Sequence, residues 1–201
     1  TWGKFRVSQR NSNYERKPRD HYATPTWCTQ VILPFIHSGS VIWEPACGSG
    51  AMSRVLSTLF PTIASDVEPG PEHVPLDFFA CSVPPNLDGR VANVIVTNPP
   101  YDVSQKFVEH AVELMRPING MVAMLMRVDW DSAKTRRHLF ADCPAWSRKV
   151  VLTKRIMWFQ PEPGAVGKSP SENHCWMIWD WKHRGLASID YANPDWQEAA
   201  E

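Results

Sequence analysis

Short apolar runs alternate with amphipathic stretches along most of the chain. "VIWE" at 41–44, "TIASD" at 62–66, "NVIVT" at 93–97 and "MVAMLM" at 121–126 are brief and rich in apolar residues, which predicts buried strands. Between and after them, 50–60 and 103–116 place apolar residues at a helical period, and 131–141 is predicted helical as well. A helix is also predicted upstream, over 26–37, with Pro34 as its kink or end. Strands alternating with helices imply βαβ units, hence an α/β fold whose mostly parallel sheet carries helices on both faces. Two further strands, "KVVLT" at 149–153 and "CWMIWDW" at 175–181, have no helix between them. Their connector, 158–174, is a long loop with Pro, Gly and Ser, so the pair is predicted to form an antiparallel C-terminal hairpin.

The two ends differ in charge. From Lys4 to Arg19 there are six basic residues (Lys4, Arg6, Arg10, Arg16, Lys17, Arg19) against Glu15 alone. This polar, basic stretch predicts a flexible arm over 1–20, followed by a single domain over 21–185 and an acidic tail over 186–201. A formal net charge of zero argues against a uniformly basic nucleic-acid binder. Local patches remain, in the arm, at 134–137 and at 148–155, and such patches can hold phosphates whatever the total. No apolar run approaches the roughly 18 residues of a membrane span, which makes a cytoplasmic protein the expectation. The five cysteines form no CxxC and the seven histidines no cluster, so neither a disulfide framework nor a metal site is expected. Of the ten tryptophans, Trp176, Trp179 and Trp181 are expected in the core, leaving others as candidate stacking surfaces.

The chemistry concentrates where predicted strands end, which in open α/β sheets is where ligands lie. "EPACGSG" (44–50) follows the first strand, and its Gly48 and Gly50 allow positive φ and a ligand close to the backbone. It has neither the third glycine of a dinucleotide fingerprint nor the GK[ST] of a phosphate loop; a purely structural turn fits it equally well. Asp66 ends the second strand, where an acid can accept from both hydroxyls of a ribose. In "LDFF" (76–79), Asp77 can accept from an adenine amino group and Phe78 or Phe79 can pack on the ring, although core packing also explains these aromatics. Finally "TNPPY" (97–101) closes a strand with two prolines, which donate no ladder hydrogen bond and fix φ, presenting Asn98 and Tyr101 at the sheet edge.

In this order "EPACGSG", the acid of "SD", "DFF" and "NPPY" resemble the S-adenosylmethionine-dependent methyltransferases of exocyclic amino groups, and most of all the DNA adenine-N6 methyltransferases. Cofactor motifs ahead of NPPY are the order of that family's gamma class. The resemblance implies a Rossmann-like class I methyltransferase fold with a seven-stranded sheet. It implies S-adenosyl-L-methionine as cofactor, held by Tyr22, Thr24 and Pro25 of "YATP", Glu44, Pro45, Ala46, Gly48, Gly50, Asp66, Asp77, Phe78 and Phe79. It implies catalysis by Asn98, Pro99, Pro100 and Tyr101 on an adenine flipped out of DNA. Arg16, Lys17, Arg19, Arg136, Arg137, Arg155 and Lys168 are then the candidate nucleic-acid contacts, and a restriction-modification role follows from the family. The alternatives are an amino or amide nitrogen of RNA or protein as acceptor, or a non-catalytic subunit that binds cofactor and nucleic acid.

Overall fold

The computed structural model describes residues 23–158 and 172–192. Its elements run α1 (Thr26–Ile32), β1 (Ile42–Glu44), α2 (Ala51–Leu56), β2 (Thr62–Asp66), β3 (Val74–Pro75), β4 (Asn86–Leu87), β5 (Arg90–Val91), β6 (Val94–Thr97), α3 (Ser104–Met115), β7 (Met121–Arg127), β8 (Trp146–Val151), β9 (His174–Asp180) and β10 (Ser188–Tyr191). One eight-stranded sheet has the order β10-β8-β9-β7-β6-β1-β2-β3, and β4 and β5 form a separate hairpin. Strand β9 is antiparallel to both neighbours, β7 and β8, while the other pairings in the sheet are parallel.

Alternation along the central strands sorts the core into two layers. In β7, Val122, Met124 and Met126 point into the layer built with Phe107, Val108, Ala111 and Met115 of α3. Met121, Ala123 and Leu125 point into the opposite layer, with Trp27, Val31 and Ile32 of α1 and Met52 and Leu56 of α2. Strand β9 does the same, with Trp179 on the first side and Trp176 on the second. Both rings are fully buried, and their indole N–H groups donate to the carbonyls of Leu139 (2.6 Å) and Cys28 (2.8 Å). Partnered indoles allow such bulk to be buried without an orphaned donor. Trp181 is half-buried and donates to the Val112 carbonyl at 2.9 Å. No described tryptophan is exposed.

Several expectations need correction. The sheet has eight strands where seven were expected, because β3 and β10 add its edges while the six apolar strands of the sequence occupy its middle. Strand β10 lies within 186–201, expected as a tail; Ser188–Tyr191 pairs with Arg148–Val151, and only alternate residues are half-buried, so its apolar signal is weak. Residues 131–141 form no α-helix. Two 3-10 turns, Trp130–Ser132 and Lys134–Leu139, are separated by Ala133 in an extended conformation (ψ 132°). The helix expected over 26–37 ends at Ile32 and tightens into a 3-10 turn around Pro34, which cannot donate to an α-helical ladder.

The chain steps outward from β1 through β2 to β3, then returns to β6 on the other side of β1. Order reverses between β1 and β6, and such a reversal opens a crevice at the carboxyl ends of the two strands.

Candidate active site

Glu44 is the last residue of β1, and the turn behind it carries the chain into α2. Gly48 and Gly50 both take left-handed φ values, 50° and 75°. At Gly50 the left-handed φ is what calls for glycine, since a Cβ there would meet only side-chain ends, with the His73 ring Nε2 at 2.2 Å free to swing aside. The Gly48 amide donates to Asp66 Oδ2 (2.9 Å), and the Glu68 amide to Asp66 Oδ1 (3.1 Å), so the glycine turn is tied to the end of β2. Each carboxylate oxygen keeps a second lone pair for a ligand hydroxyl. The next residue, Val67, is 60% exposed, leaving an apolar surface beside Asp66 that the motifs did not single out. Pro45 is buried and Ala46 packs against the core.

Glu44 is 3% exposed, and its Oε2 has no hydrogen-bond partner among the described residues. Burial pushes its carboxyl well above the usual range, against the opposing effect of hydrogen bonds from Ser53. A buried, unpartnered carboxyl oxygen at a strand end is a receptor for a cation or a hydrogen-bond donor.

Across the crevice, β6 ends at Thr97 and the prolines carry the chain into α3. Asn98 Nδ2 donates to Thr24 Oγ1 at 3.3 Å, joining the "YATP" segment to the NPPY stretch. Asn98 Oδ1 is buried and unpartnered among the described residues. Pro99 is buried and Pro100 exposed. Pro25 stands at the N-cap of α1, with φ −57° suited to a proline. Tyr101 is half-buried, its hydroxyl hydrogen-bonded with His174 Nε2 at 3.2 Å. His174, the first residue of β9, is 2% exposed, and burial together with the Arg127 cation lowers its pKa to about 4. Arg127, at the end of β7, is ion-paired to Asp129 (3.0 Å) and Glu172 (3.1 Å).

The expected cofactor residues therefore gather in part. Thr24 and Asn98 touch, and Gly48 and Asp66 touch, with Glu44 on the strand between β2 and β6. Phe78 is a correction: it is 2% exposed, stacked on Phe107 at 4.2 Å and edge-on to Trp43, so its ring belongs to the core and Phe79, 45% exposed, has the open face. Asp77 uses Oδ1 to cap the following turn, accepting from the Phe79 amide at 3.0 Å. His174 and Arg127 were missed, although a histidine opening an otherwise apolar strand ("HCWMIWD") is a usable signal.

Among the basic candidates, Arg136 lies over the Trp130 ring (4.3 Å) and donates to the Trp130 carbonyl. Arg137 forms an exposed ion pair with Asp142 (3.0 Å), and Arg155 donates to the Asn173 side chain (2.9 Å). Tyr22, Arg16, Lys17, Arg19 and Lys168 lie outside the described residues. No helix among the described residues is long and apolar enough to cross a membrane, and no group of three or more His, Cys, Asp or Glu side chains gathers there as for a metal.

No protein-family model matches the sequence, and no curated protein resembles it closely enough to count as a relative. Solved structures do resemble its fold. The methyltransferase subunit of a type I restriction-modification system from Streptococcus thermophilus superposes with a TM-score of 0.52 at 13% identity, over 84% of this chain and 45% of that one. The M protein of the type I restriction enzyme EcoKI gives 0.50 at 14% identity, over 79% and 44%. A candidate hemolysin from Lactococcus lactis gives 0.53 at 12% identity, over 88% and 96%. The chain thus spans less than half the length of the two restriction-system subunits. Strand order, reversed β9 and these likenesses together give the chain a Rossmann-like α/β fold, the fold it shares with the two restriction-system methyltransferase subunits.

Proposed function

We propose that this protein transfers a methyl group from S-adenosyl-L-methionine to an exocyclic amino nitrogen, the N6 of an adenine in DNA. The observation that carries the proposal is Asn98 Oδ1, a buried acceptor without a partner among the described residues, at the end of β6 beside the crevice. An acceptor held ready in a dry site suits a substrate that brings N–H donors. Two fold relatives, at low identity, are methyltransferase components of type I restriction-modification systems, which supports the same direction.

The residues present fit the cofactor. Glu44 Oε2 would receive its ammonium group, Asp66 its ribose hydroxyls, and the glycine turn would let its backbone-proximal part approach closely. When bound, the cofactor supplies an electrophilic methyl group on a sulfonium. The protein's part is to make a poor nucleophile adequate. The N6 lone pair of adenine is delocalised into the ring, and two acceptors on its hydrogens favour a pyramidal nitrogen with that pair exposed. Asn98 Oδ1 is one acceptor, and the Pro99 carbonyl, whose direction the neighbouring prolines restrict, is the other. The proton leaves to solvent after transfer, so no general base is required. Tyr101 provides the stacking face for the base, which must be flipped out or single-stranded to reach the crevice.

Asn98→Ala separates chemistry from binding. Calorimetry is expected to give unchanged cofactor affinity, and single-turnover transfer at saturating cofactor and nucleic acid a rate lower by about two orders of magnitude. Transfer at the parent rate would remove Asn98 from the chemistry, whereas no transfer by the parent protein would favour a non-catalytic subunit.

A further inference from the structure

We propose that His174 is a positioning residue that fixes the Tyr101 ring as the platform for the methyl-accepting base, an inference that rests on the amino-methyltransferase reading. Tyr101 sits in the turn between β6 and α3, where its backbone is set by the two prolines but its ring can still rotate about two side-chain bonds. A stacking surface works only if that ring is held at one orientation before the base arrives, because ordering it during binding subtracts from affinity. The bond between the Tyr101 hydroxyl and His174 Nε2 (3.2 Å) supplies that hold from a different element, 73 residues along the chain.

His174 is well suited to the task. It is 2% exposed and begins β9, a strand hydrogen-bonded on both sides by β7 and β8, so its backbone has little freedom. The Trp158 ring meets its imidazole edge-on at 5.4 Å. Arg127 pairs across the ladder with His174, and burial, helped by this cation, keeps the imidazole neutral near pH 7. A neutral ring can accept the phenol proton or donate to its oxygen, and either arrangement fixes the tyrosine. His174 therefore acts through Tyr101 and needs no contact with the reacting atoms.

The test is a double-substitution cycle on the full chain, read by steady-state transfer to nucleic acid. His174→Leu, similar in volume but without a ring nitrogen, is expected to raise KM for nucleic acid about 3- to 10-fold, the loss of one ordinary hydrogen bond, with kcat and cofactor affinity unchanged. His174→Gln, whose Nε2 can reach the same place, is expected to recover most of that loss. Tyr101→Phe is expected to match His174→Leu, and adding His174→Leu to it to change nothing further. An unaltered KM in His174→Leu, or an equal further loss in the Tyr101→Phe background, would overturn the proposal. If no nucleic acid accepts methyl from the parent protein, the amino-methyltransferase reading fails instead. Nitrogen NMR of the His174 ring still decides the pairing then: its Nε2 signal is expected to shift in Tyr101→Phe, and an unmoved signal would refute the contact.

Discussion

Glu44 is buried with its Oε2 unpartnered among the described residues, and in the proposed site that oxygen would receive the cofactor's ammonium group. Its folded pKa is raised by burial, so its contribution to stability is fully present below the unfolded value, about pH 4.3, and is lost as pH rises through the folded value. Glu44→Gln is therefore expected to raise the melting temperature of the ligand-free protein near neutral pH, with the gain vanishing toward about pH 4. The same change is expected to weaken S-adenosylmethionine binding by about 10-fold or more, the scale of a lost charge-assisted hydrogen bond. Melting curves across pH and calorimetry check the two halves; a destabilised variant with intact affinity would contradict both. Tyr101→Ala is expected to weaken capture of the base by roughly 1–3 kcal/mol, read as a higher KM for nucleic acid with the cofactor affinity intact. At this scale the sequence singled out candidate residues, because each motif is contiguous. It did not show their mutual contacts. The pairs Asn98–Thr24 and Tyr101–His174 join residues 74 and 73 apart, and no local pattern encodes such a meeting.

At the scale of elements, long apolar strands were legible and short ones were not. The strand over 62–66 coincides with β2, and α3 falls within the helix expected over 103–116. Strands β3, β4 and β5 have two residues each, too few for a period to register, and β3 contains a proline. The hairpin of β4 and β5 did leave a trace: Asp88 and Gly89 both have positive φ, 51° and 79°, as an Asp-Gly hairpin turn requires. The stretch 131–141 has helix-favouring Ala, Lys, Arg and Leu, yet Ala133 is extended, so tertiary packing overrides propensity there. The turn from α3 into β7 gives an element-level prediction. Asn119 is left-handed (φ 51°), and a Cβ at Gly120 would stand 2.8 Å from Met115 Sδ and 2.9 Å from the Asn93 carbonyl. Gly120→Ala is thus expected to lose about 1–3 kcal/mol by overpacking. Denaturant titration checks it, and an unchanged midpoint would mean that the Met115 side chain and the Asn93 carbonyl give way at no cost.

For the whole molecule, the reversed β9 is decisive. By inserting antiparallel between β7 and β8, it starts at the sheet edge where β1, β2 and β6 end, and so delivers His174 to the NPPY stretch. The sequence predicted the reversal from a missing helix, but not which strand would lie innermost, since neighbour order depends on packing of the completed sheet. The carboxyl ends of the neighbouring strands β1, β2 and β6 then carry a Glu44 oxygen unpartnered among the described residues, the Asp66-bound glycine turn and the Asn98 amide. A site so composed is proposed to methylate an amino nitrogen, and the product identifies it most directly. The protein would be incubated with S-adenosylmethionine tritiated at its methyl group, in parallel with duplex DNA, single-stranded DNA, RNA and protein, and the labelled nucleic acid digested to nucleosides. The expected result is tritium in N6-methyldeoxyadenosine; label confined to a protein side chain or to a carbon or oxygen atom, or no labelled acceptor at all, would contradict it.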